Sequence, residues 1–197
     1  MTLNEIATQT DIIITTTKAN FPLLIKLLGA LWIINIINWI LLGSRLNIFG
    51  VYPRKIWSLP GIWISPILHA DANHLFFNSI PLLVLADLML LNGLHHFMLT
   101  TFYIVTLGGV FLWILGRPGM HIGASNLIMG YFGYLLSRAF YQPSAMAIIL
   151  ALISIYYFGG LILGLFPTRE RISWEGHLLG FISGILVAFY YSSLWQG

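Results

Sequence analysis

The sequence predicts an all-α membrane protein, and three observations lead to that prediction. Of its 197 residues, 58% are hydrophobic and only 8% are charged, whereas a soluble domain carries roughly a quarter of its residues as charged groups. A chain this poor in charge cannot cover a water-facing surface, so lipid must be the solvent for most of it. The apolar residues fall into runs of about 20, the length that a helix needs to cross a bilayer. The 19 glycines are typical of closely packed membrane helices.

Composition also excludes several functional classes. The chain has no cysteine, which excludes disulfides, thiolate nucleophiles and cysteine-ligated metals. Its net charge of +3 includes no run of basic residues, so no nucleic-acid partner is expected. Residues 1–20 are polar and lack a basic stretch ahead of a short apolar core, so they do not read as a cleaved signal peptide. We interpret 1–20 as an N-terminal tail and 21–197 as one domain without internal repeats.

Six segments are long and apolar enough to span a membrane. The segment from about Gly43 to Asn73 lies between the first two and contains Trp57 and Trp63. Because tryptophan prefers the headgroup region, this long first loop is expected to lie at the interface. The six spans run from about Phe21 to Leu42, His74 to Leu91, His96 to Leu115, Gly123 to Tyr141, Pro143 to Phe166 and Gly176 to Tyr191.

Polar residues occur at the start of every second span. Spans two, four and six begin on the same side of the membrane, and their first turns hold His74 and Asn78, then Ser125, then His177. Polar side chains inside a bilayer are costly and normally face the bundle interior or a wet cavity. We therefore expect these four side chains to meet at similar depth in one site.

The chemistry that such a set can perform is nucleophilic. A serine hydroxyl becomes a good nucleophile when a neighbouring base takes its proton, and imidazole is the usual base. Ser125 lies at a helix start, where unpaired N–H groups and the helix dipole favour negative charge. His74 and Asn78 are four residues apart on one helix face, and both can donate hydrogen bonds to an oxyanion.

Three segments resemble motifs of the rhomboid family of intramembrane serine proteases. They are residues 69–78 (HADANHLFFN), 123–125 (GAS) and 176–184 (GHLLGFISG). The corresponding family patterns are H-x-x-x-x-H-x-x-x-N on the second helix, G-x-S on the fourth and H-x-x-G-x-x-x-G on the sixth. Order, spacing and helix assignment match over roughly residues 21–195.

The resemblance implies a six-transmembrane-helix rhomboid-type bundle that acts as a serine endopeptidase. Ser125 would be the nucleophile and His177 its base, forming a dyad without a carboxylate. His74, Asn78 and the backbone N–H of Ser125 would stabilise the oxyanion. The substrates would be transmembrane segments of other proteins, with no cofactor and no metal. The fifth span and the loop 167–175 would form the substrate gate.

Two positions depart from the family pattern. Many members have glycine directly after the serine, where this chain has Asn126; that side chain either crowds the serine–histidine contact or supplies another hydrogen bond. Many members place a tyrosine against the catalytic histidine, where this chain has Met129. Methionine can also pack on an imidazole face, so we interpret this change as tuning.

Other polar and small residues receive structural interpretations. Gly180 and Gly184 form a small-residue stripe expected to pack against the fourth span near Gly130 and Gly133. Asp87 and Arg138 lie at equal distances into parallel helices and are expected to pair at the far end. His69 is expected to make structural hydrogen bonds in the loop. Three histidines in turns are expected to meet only water: His95, His96 and His121.

Three alternative functions remain open. A metalloprotease would need a ligand set such as H-E-x-x-H, which is absent, although His74, His177 and Asp71 could in principle hold zinc. A rhomboid-like protein without activity would bind transmembrane helices and leave them uncut. A transporter is disfavoured because the sequence shows no inverted repeats.

The location expected from the resemblance is the cell (inner) membrane, with the site toward the non-cytoplasmic side. The distribution of Lys and Arg among the loops disagrees, because the active-site side carries more of them and such loops usually stay cytoplasmic. We follow the resemblance, because a folded interfacial loop is a poor case for counting charges.

Overall fold

The structure, a computed structural model, describes residues 3–166 and 173–194. These residues form seven α-helices joined by turns and short 3₁₀ segments, and they contain no β-strand. The helices are α1 Leu3–Ile40, α2 Gly61–Ile64, α3 Ala72–Leu90, α4 Leu94–Leu115, α5 Ser125–Tyr141, α6 Ala145–Phe158 and α7 Trp174–Leu194. The 3₁₀ segments are Arg45–Phe49, Ile56–Ser58, Ser65–Ile67 and Gly159–Leu165.

Four helical segments in the described residues are long and apolar enough to cross a membrane. The predicted count of six spans is therefore not confirmed by the described residues. Helix α5 has 17 residues, which at about 1.5 Å per residue gives about 26 Å, less than a hydrocarbon core of about 30 Å. Helix α7 is longer but carries Glu175 and His177 near its start. The four segments are Asn4–Ile40, Ala72–Leu90, Leu94–Leu115 and Ala145–Leu165.

The first helix is longer than the sequence predicted. Helix α1 begins at Leu3 rather than near Phe21, so the described part of the predicted tail is helical. The hydroxyls of Thr8 and Thr10 donate hydrogen bonds to backbone carbonyls one turn earlier, at 2.9 and 2.8 Å. These polar side chains therefore find acceptors within the helix itself. The predicted division into a tail, 1–20, and a domain, 21–197, stays a prediction.

The fifth predicted span also differs from the expectation. Its α-helix ends at Phe158, and the chain continues as the 3₁₀ segment Gly159–Leu165. Most of the predicted charged loop, residues 167–172, lies outside the described residues. The 3₁₀ segment packs against α7, which brings it next to the start of that helix.

Helix α5 forms the centre of the bundle and packs most closely on α7. Gly180 and Gly184 make the approach possible, because a Cβ on Gly180 would overlap the carbonyl oxygen of Asn126 and one on Gly184 that of Gly130. A Cβ on Gly133 would likewise overlap the carbonyl oxygen of Phe181. The predicted packing of the glycine stripe against α5 is confirmed.

The long first loop is folded onto the bundle rather than extended. The amide of Asn35 donates to the carbonyl of Ile67 at 2.8 Å, and the indole of Trp39 donates to the carbonyl of His69 at 2.9 Å. Ile56 and Trp57 are nonetheless 77% and 56% exposed. Exposed apolar groups on an anchored loop are expected of a segment that touches lipid, although its position at the interface stays a prediction.

The predicted pairing of Asp87 with Arg138 is wrong. The carboxylate of Asp87 accepts a hydrogen bond from the hydroxyl of Thr17 at 2.5 Å, toward α1. The described residues contain no ion pair between Asp87 and Arg138; the ion pair they do contain joins Arg117 and Glu175. Equal distances along two parallel helices place two residues at the same depth in the membrane. They do not determine whether the two side chains point toward each other.

Candidate active site

A cavity of about 700 Å³ lies where α3, α5 and α7 begin. Four of its lining residues are those expected from the sequence: Ser125, His177, His74 and Asn78. Further polar side chains also line it: Ser65, Asp71, His121, Asn126 and Ser173. The three helix starts therefore deliver a hydroxyl, two imidazoles and an amide to one cavity.

The turn before Ser125 is built to let His74 approach. Gly123 has a φ of +115°, which favours glycine, and a Cβ there would lie 2.7 Å from two atoms of the His74 ring. The N–H of Gly123 donates to the carbonyl of Ser65 at 2.9 Å. Ser125 is the first residue of α5, so its N–H belongs to the turn that has no partners within the helix.

His69 also contacts the turn before Ser125, through a hydrogen bond from Ala124. Its Nδ1–H donates to the carbonyl of Ile67 at 3.3 Å, so Nε2 is free to accept from the N–H of Ala124, also at 3.3 Å. The side chain is fully buried. Burial, with a smaller effect from the neighbouring His74, lowers the pKa of His69 to about 4. His69 is therefore neutral at pH 7 and has the structural role that the sequence indicated.

His74 and Asn78 are fixed at the start of α3. Asp71 caps the helix, because its carboxylate accepts from the N–H of His74 at 2.8 Å. One N–H of the Asn78 amide donates to the carbonyl of His74 at 2.9 Å, which leaves the second for a ligand. The His74 ring packs edge-on against His69, with centroids 5.1 Å apart.

His177 is oriented by a backbone carbonyl. Its Nδ1 lies 3.0 Å from the carbonyl oxygen of Gly164 in the 3₁₀ segment. A carbonyl can only accept, so the proton is on Nδ1 and the lone pair is on Nε2. Ser125 and His177 share the cavity, and within the described residues they make no direct hydrogen bond. Catalytic hydrogen bonds are often long in the absence of substrate and tighten when it binds.

Asn126 links the two helices that carry Ser125 and His177. Its amide donates to the carbonyl of Gly176 at 2.8 Å. Of the two effects expected for this departure from the family pattern, the structure shows the additional hydrogen bond. Met129 is 2% exposed and lies in the hydrophobic core, and it is not among the residues that line the cavity.

The sequence did not indicate that His121 belongs to the cavity. His121 was expected to meet only water, but its Nε2 lies 2.9 Å from the carbonyl of Arg117 and its Nδ1 lies 2.9 Å from the hydroxyl of Ser173. The Ser173 oxygen also accepts from the N–H of Gly176 at 3.2 Å, which caps α7. These bonds fix the helix start that carries His177, and no local pattern around His121 could reveal a contact so distant in sequence.

A protein metal site needs several ligating side chains close together. Among the described residues, no group of three His, Cys, Asp or Glu side chains is placed to hold a metal ion. This applies to His74, His177 and Asp71, the set considered from the sequence.

The fold and the cavity define an all-helical membrane protein with a polar site at one end of its bundle. A sequence model of the rhomboid domain matches residues 53–194. The chain therefore belongs to the rhomboid family, and it is an integral membrane protein.

Mycobacterial proteins are similar to this chain over most of its length. An uncharacterized protein of Mycobacterium bovis is 36% identical over 179 residues, covering 86% of this chain and 74% of the relative. An uncharacterized protein of Mycobacterium tuberculosis matches with the same identity and coverage. An uncharacterized protein of Mycobacterium leprae is 37% identical over 153 residues, covering 73% of this chain and 61% of its own length.

Proposed function

We propose that this chain is an intramembrane serine endopeptidase that cleaves transmembrane proteins within or near their membrane-spanning segments. The observation that carries the proposal is the arrangement of Ser125 and His177 in one cavity. Ser125 opens helix α5, and the Nδ1 proton of His177 is held by the Gly164 carbonyl. The Nε2 lone pair is then available to take the serine proton.

The proposed reaction proceeds through an acyl-enzyme. His177 Nε2 takes the proton from Ser125 Oγ as the oxygen attacks the substrate carbonyl, which gives a tetrahedral oxyanion. The N–H of Ser125 and the side chains of His74 and Asn78 donate hydrogen bonds to that oxyanion. His177 then gives its proton to the leaving amine as the peptide bond breaks. Attack by water, again with His177 as base, releases the acid product and restores the serine.

The proposed function also has consequences for the substrates and for the orientation of the chain in the membrane. The substrate partners are transmembrane helices, which must unwind near the cavity to present a peptide bond. In this proposal the chain crosses the membrane six times with both termini cytoplasmic, so the cavity faces the non-cytoplasmic side of the cell membrane. Reporter fusions after Leu91 and after Gly116 should therefore lie on opposite sides, cytoplasmic and non-cytoplasmic respectively. The reverse assignment would overturn this orientation.

Activity is tested with purified protein and a generic single-span substrate in proteoliposomes. Wild type is expected to cleave it, and Ser125→Ala and His177→Ala are each expected to abolish cleavage. Ser137→Ala is a matched control, because Ser137 lies on the same helix but outside the cavity. A fluorophosphonate is expected to label wild type and not Ser125→Ala. Cleavage that survives in Ser125→Ala would refute the mechanism.

The alternative function is binding of transmembrane helices without cleavage. The observation that favours it is that Ser125 and His177, among the described residues, make no direct hydrogen bond. That function predicts co-purification of substrate with wild type, no cleavage products and no fluorophosphonate labelling.

A further inference from the structure

A second cavity lies at the opposite end of the bundle from the candidate active site. Its volume is about 520 Å³. It lies among the end of α3, the start of α4 and the ends of α5 and α7. The lining residues include no carboxylate: Asn92, His95, His96, Leu99, Arg138, Gln142 and Tyr191.

Arg138 is the positive charge of this cavity. It lies in the last turn of α5, and its Nε is buried without a hydrogen-bond partner among the described residues. No acidic side chain of those residues forms an ion pair with it. A buried, unpartnered donor on a charged group is costly, so the Nε of this guanidinium needs an acceptor that the described lining residues do not supply.

The side chains beside Arg138 include one acceptor and further N–H donors. The hydroxyl oxygen of Tyr134 accepts a hydrogen bond from the guanidinium and lies 2.7 Å from Nε2 of His96. The amides of Asn92 and Gln142 line the same space. A cationic cavity rich in N–H donors fits an anion that has several acceptor oxygens.

We propose that this second cavity binds a phosphate group, supplied either by an anionic phospholipid headgroup or by free phosphate. The planar guanidinium matches two phosphate oxygens at once, which would satisfy the buried Nε. The lipid source is favoured because exposed apolar side chains adjoin the lining residues in sequence. Met98, next to Leu99, is 61% exposed, and Phe140, two residues from Arg138, is 81% exposed. Acyl chains can lie against such side chains while the headgroup enters the cavity.

The test measures lipid retention and does not depend on proteolysis. Wild-type protein is extracted from vesicles of equal parts phosphatidylglycerol and phosphatidylcholine, and the bound lipids are counted by native mass spectrometry. Wild type is expected to retain phosphatidylglycerol selectively, and Arg138→Gln is expected to lower its apparent affinity tenfold or more. Arg45→Gln is the matched control, because it removes the same charge from an exposed site near the opposite end.

A second variant keeps the site testable if Arg138→Gln does not fold. His95 is exposed and lines the cavity, so His95→Ala should fold normally and still weaken retention of phosphatidylglycerol. Equal retention by wild type and both variants would overturn the site.

The final arm separates the two sources of phosphate. Inorganic phosphate at tens of millimolar is added to protein that carries phosphatidylglycerol. Failure to displace the lipid supports the headgroup as the ligand. Displacement together with loss of inorganic-phosphate binding in Arg138→Gln supports free phosphate. Displacement that is equal in Arg138→Gln and Arg45→Gln overturns the proposal.

Discussion

The hydrogen bond between His177 and the Gly164 carbonyl can be weakened by adding one methyl group. A Cβ on Gly164 would lie 2.9 Å from Nδ1 and 3.5 Å from Cε1 of the imidazole. The first distance is shorter than an ordinary van der Waals contact, so Gly164→Ala forces the ring or the 3₁₀ segment to move by a few tenths of an ångström. The Nδ1–H···O bond of 3.0 Å must then lengthen or bend.

The size of the effect follows from the change in charge during the reaction. In the proposed mechanism, the bond joins two neutral groups before the reaction starts and contributes about 1 kcal/mol. In the transition state His177 carries the serine proton, so the same bond is charge-assisted and contributes about 1.5–3 kcal/mol. The difference of about 0.5–2 kcal/mol is lost from the barrier, and about 1.4 kcal/mol corresponds to a factor of ten in rate. Gly164→Ala should therefore lower kcat by about 2- to 30-fold. KM should change little, because the lost stabilisation is greatest in the transition state.

The matched control is an alanine at Gly160 in the same 3₁₀ segment. A Cβ on Gly160 meets no atom within 4 Å, so Gly160→Ala tests the effect of stiffening this segment without touching the imidazole. Steady-state cleavage of a transmembrane substrate gives kcat and KM, and the rate of fluorophosphonate labelling reports serine activation directly. Equal kcat for Gly164→Ala and wild type, or equal losses in both variants, would refute the role assigned to the carbonyl.

Three further predictions concern packing, hydrogen bonding and pH. Gly180→Ala pushes a methyl group into the Asn126 carbonyl and should cost about 1–3 kcal/mol, seen as a lower Tm, whereas Gly29→Ala, which meets no atom within 4 Å, should not lower it. Asn126→Ala leaves the Gly176 carbonyl without the donor 2.8 Å away and should cost about 1–3 kcal/mol in denaturation from mixed micelles; unchanged stability would contradict the link. His69 has a pKa near 4 when folded and about 6.5 when unfolded. The unfolded chain therefore binds the proton first, and stability should fall by up to about 3 kcal/mol between about pH 6.5 and pH 4, a loss that His69→Gln should reduce.

The location of the candidate site could be predicted because it follows from the order and the direction of the membrane helices. Apolar runs indicate where successive long helices lie and in which direction each one runs, and direction decides which polar residues reach the same end. Ser125, His177 and His74 lie within the first turns of helices that start on one side. That these three side chains lie near one another could therefore be predicted without knowing how side chains pack.

The rest depended on information that the sequence pattern does not contain. The contact with Gly164 involves a backbone carbonyl in a 3₁₀ segment, and no side chain marks it in advance. His121 reaches the cavity through a hydrogen bond to Ser173, a residue far along the chain. The polar stretch before Phe21 has no apolar periodicity that would distinguish a tail from a continued helix, and the structure continues α1 through it.

The placement of Ser125 and His177, the proposed nucleophile and base, depends on helix register rather than on a bond between them. Asn126 directly follows Ser125, Gly176 directly precedes His177, and the 2.8 Å bond between these neighbours ties the two positions together. A slip of one residue along either helix would turn its side chains by about 100° and carry Ser125 or His177 out of the cavity. The close approach at Gly180 prevents such a slip, because any larger residue there would collide with the backbone of α5. Glycine and asparagine therefore set the geometry in which the serine and histidine can act.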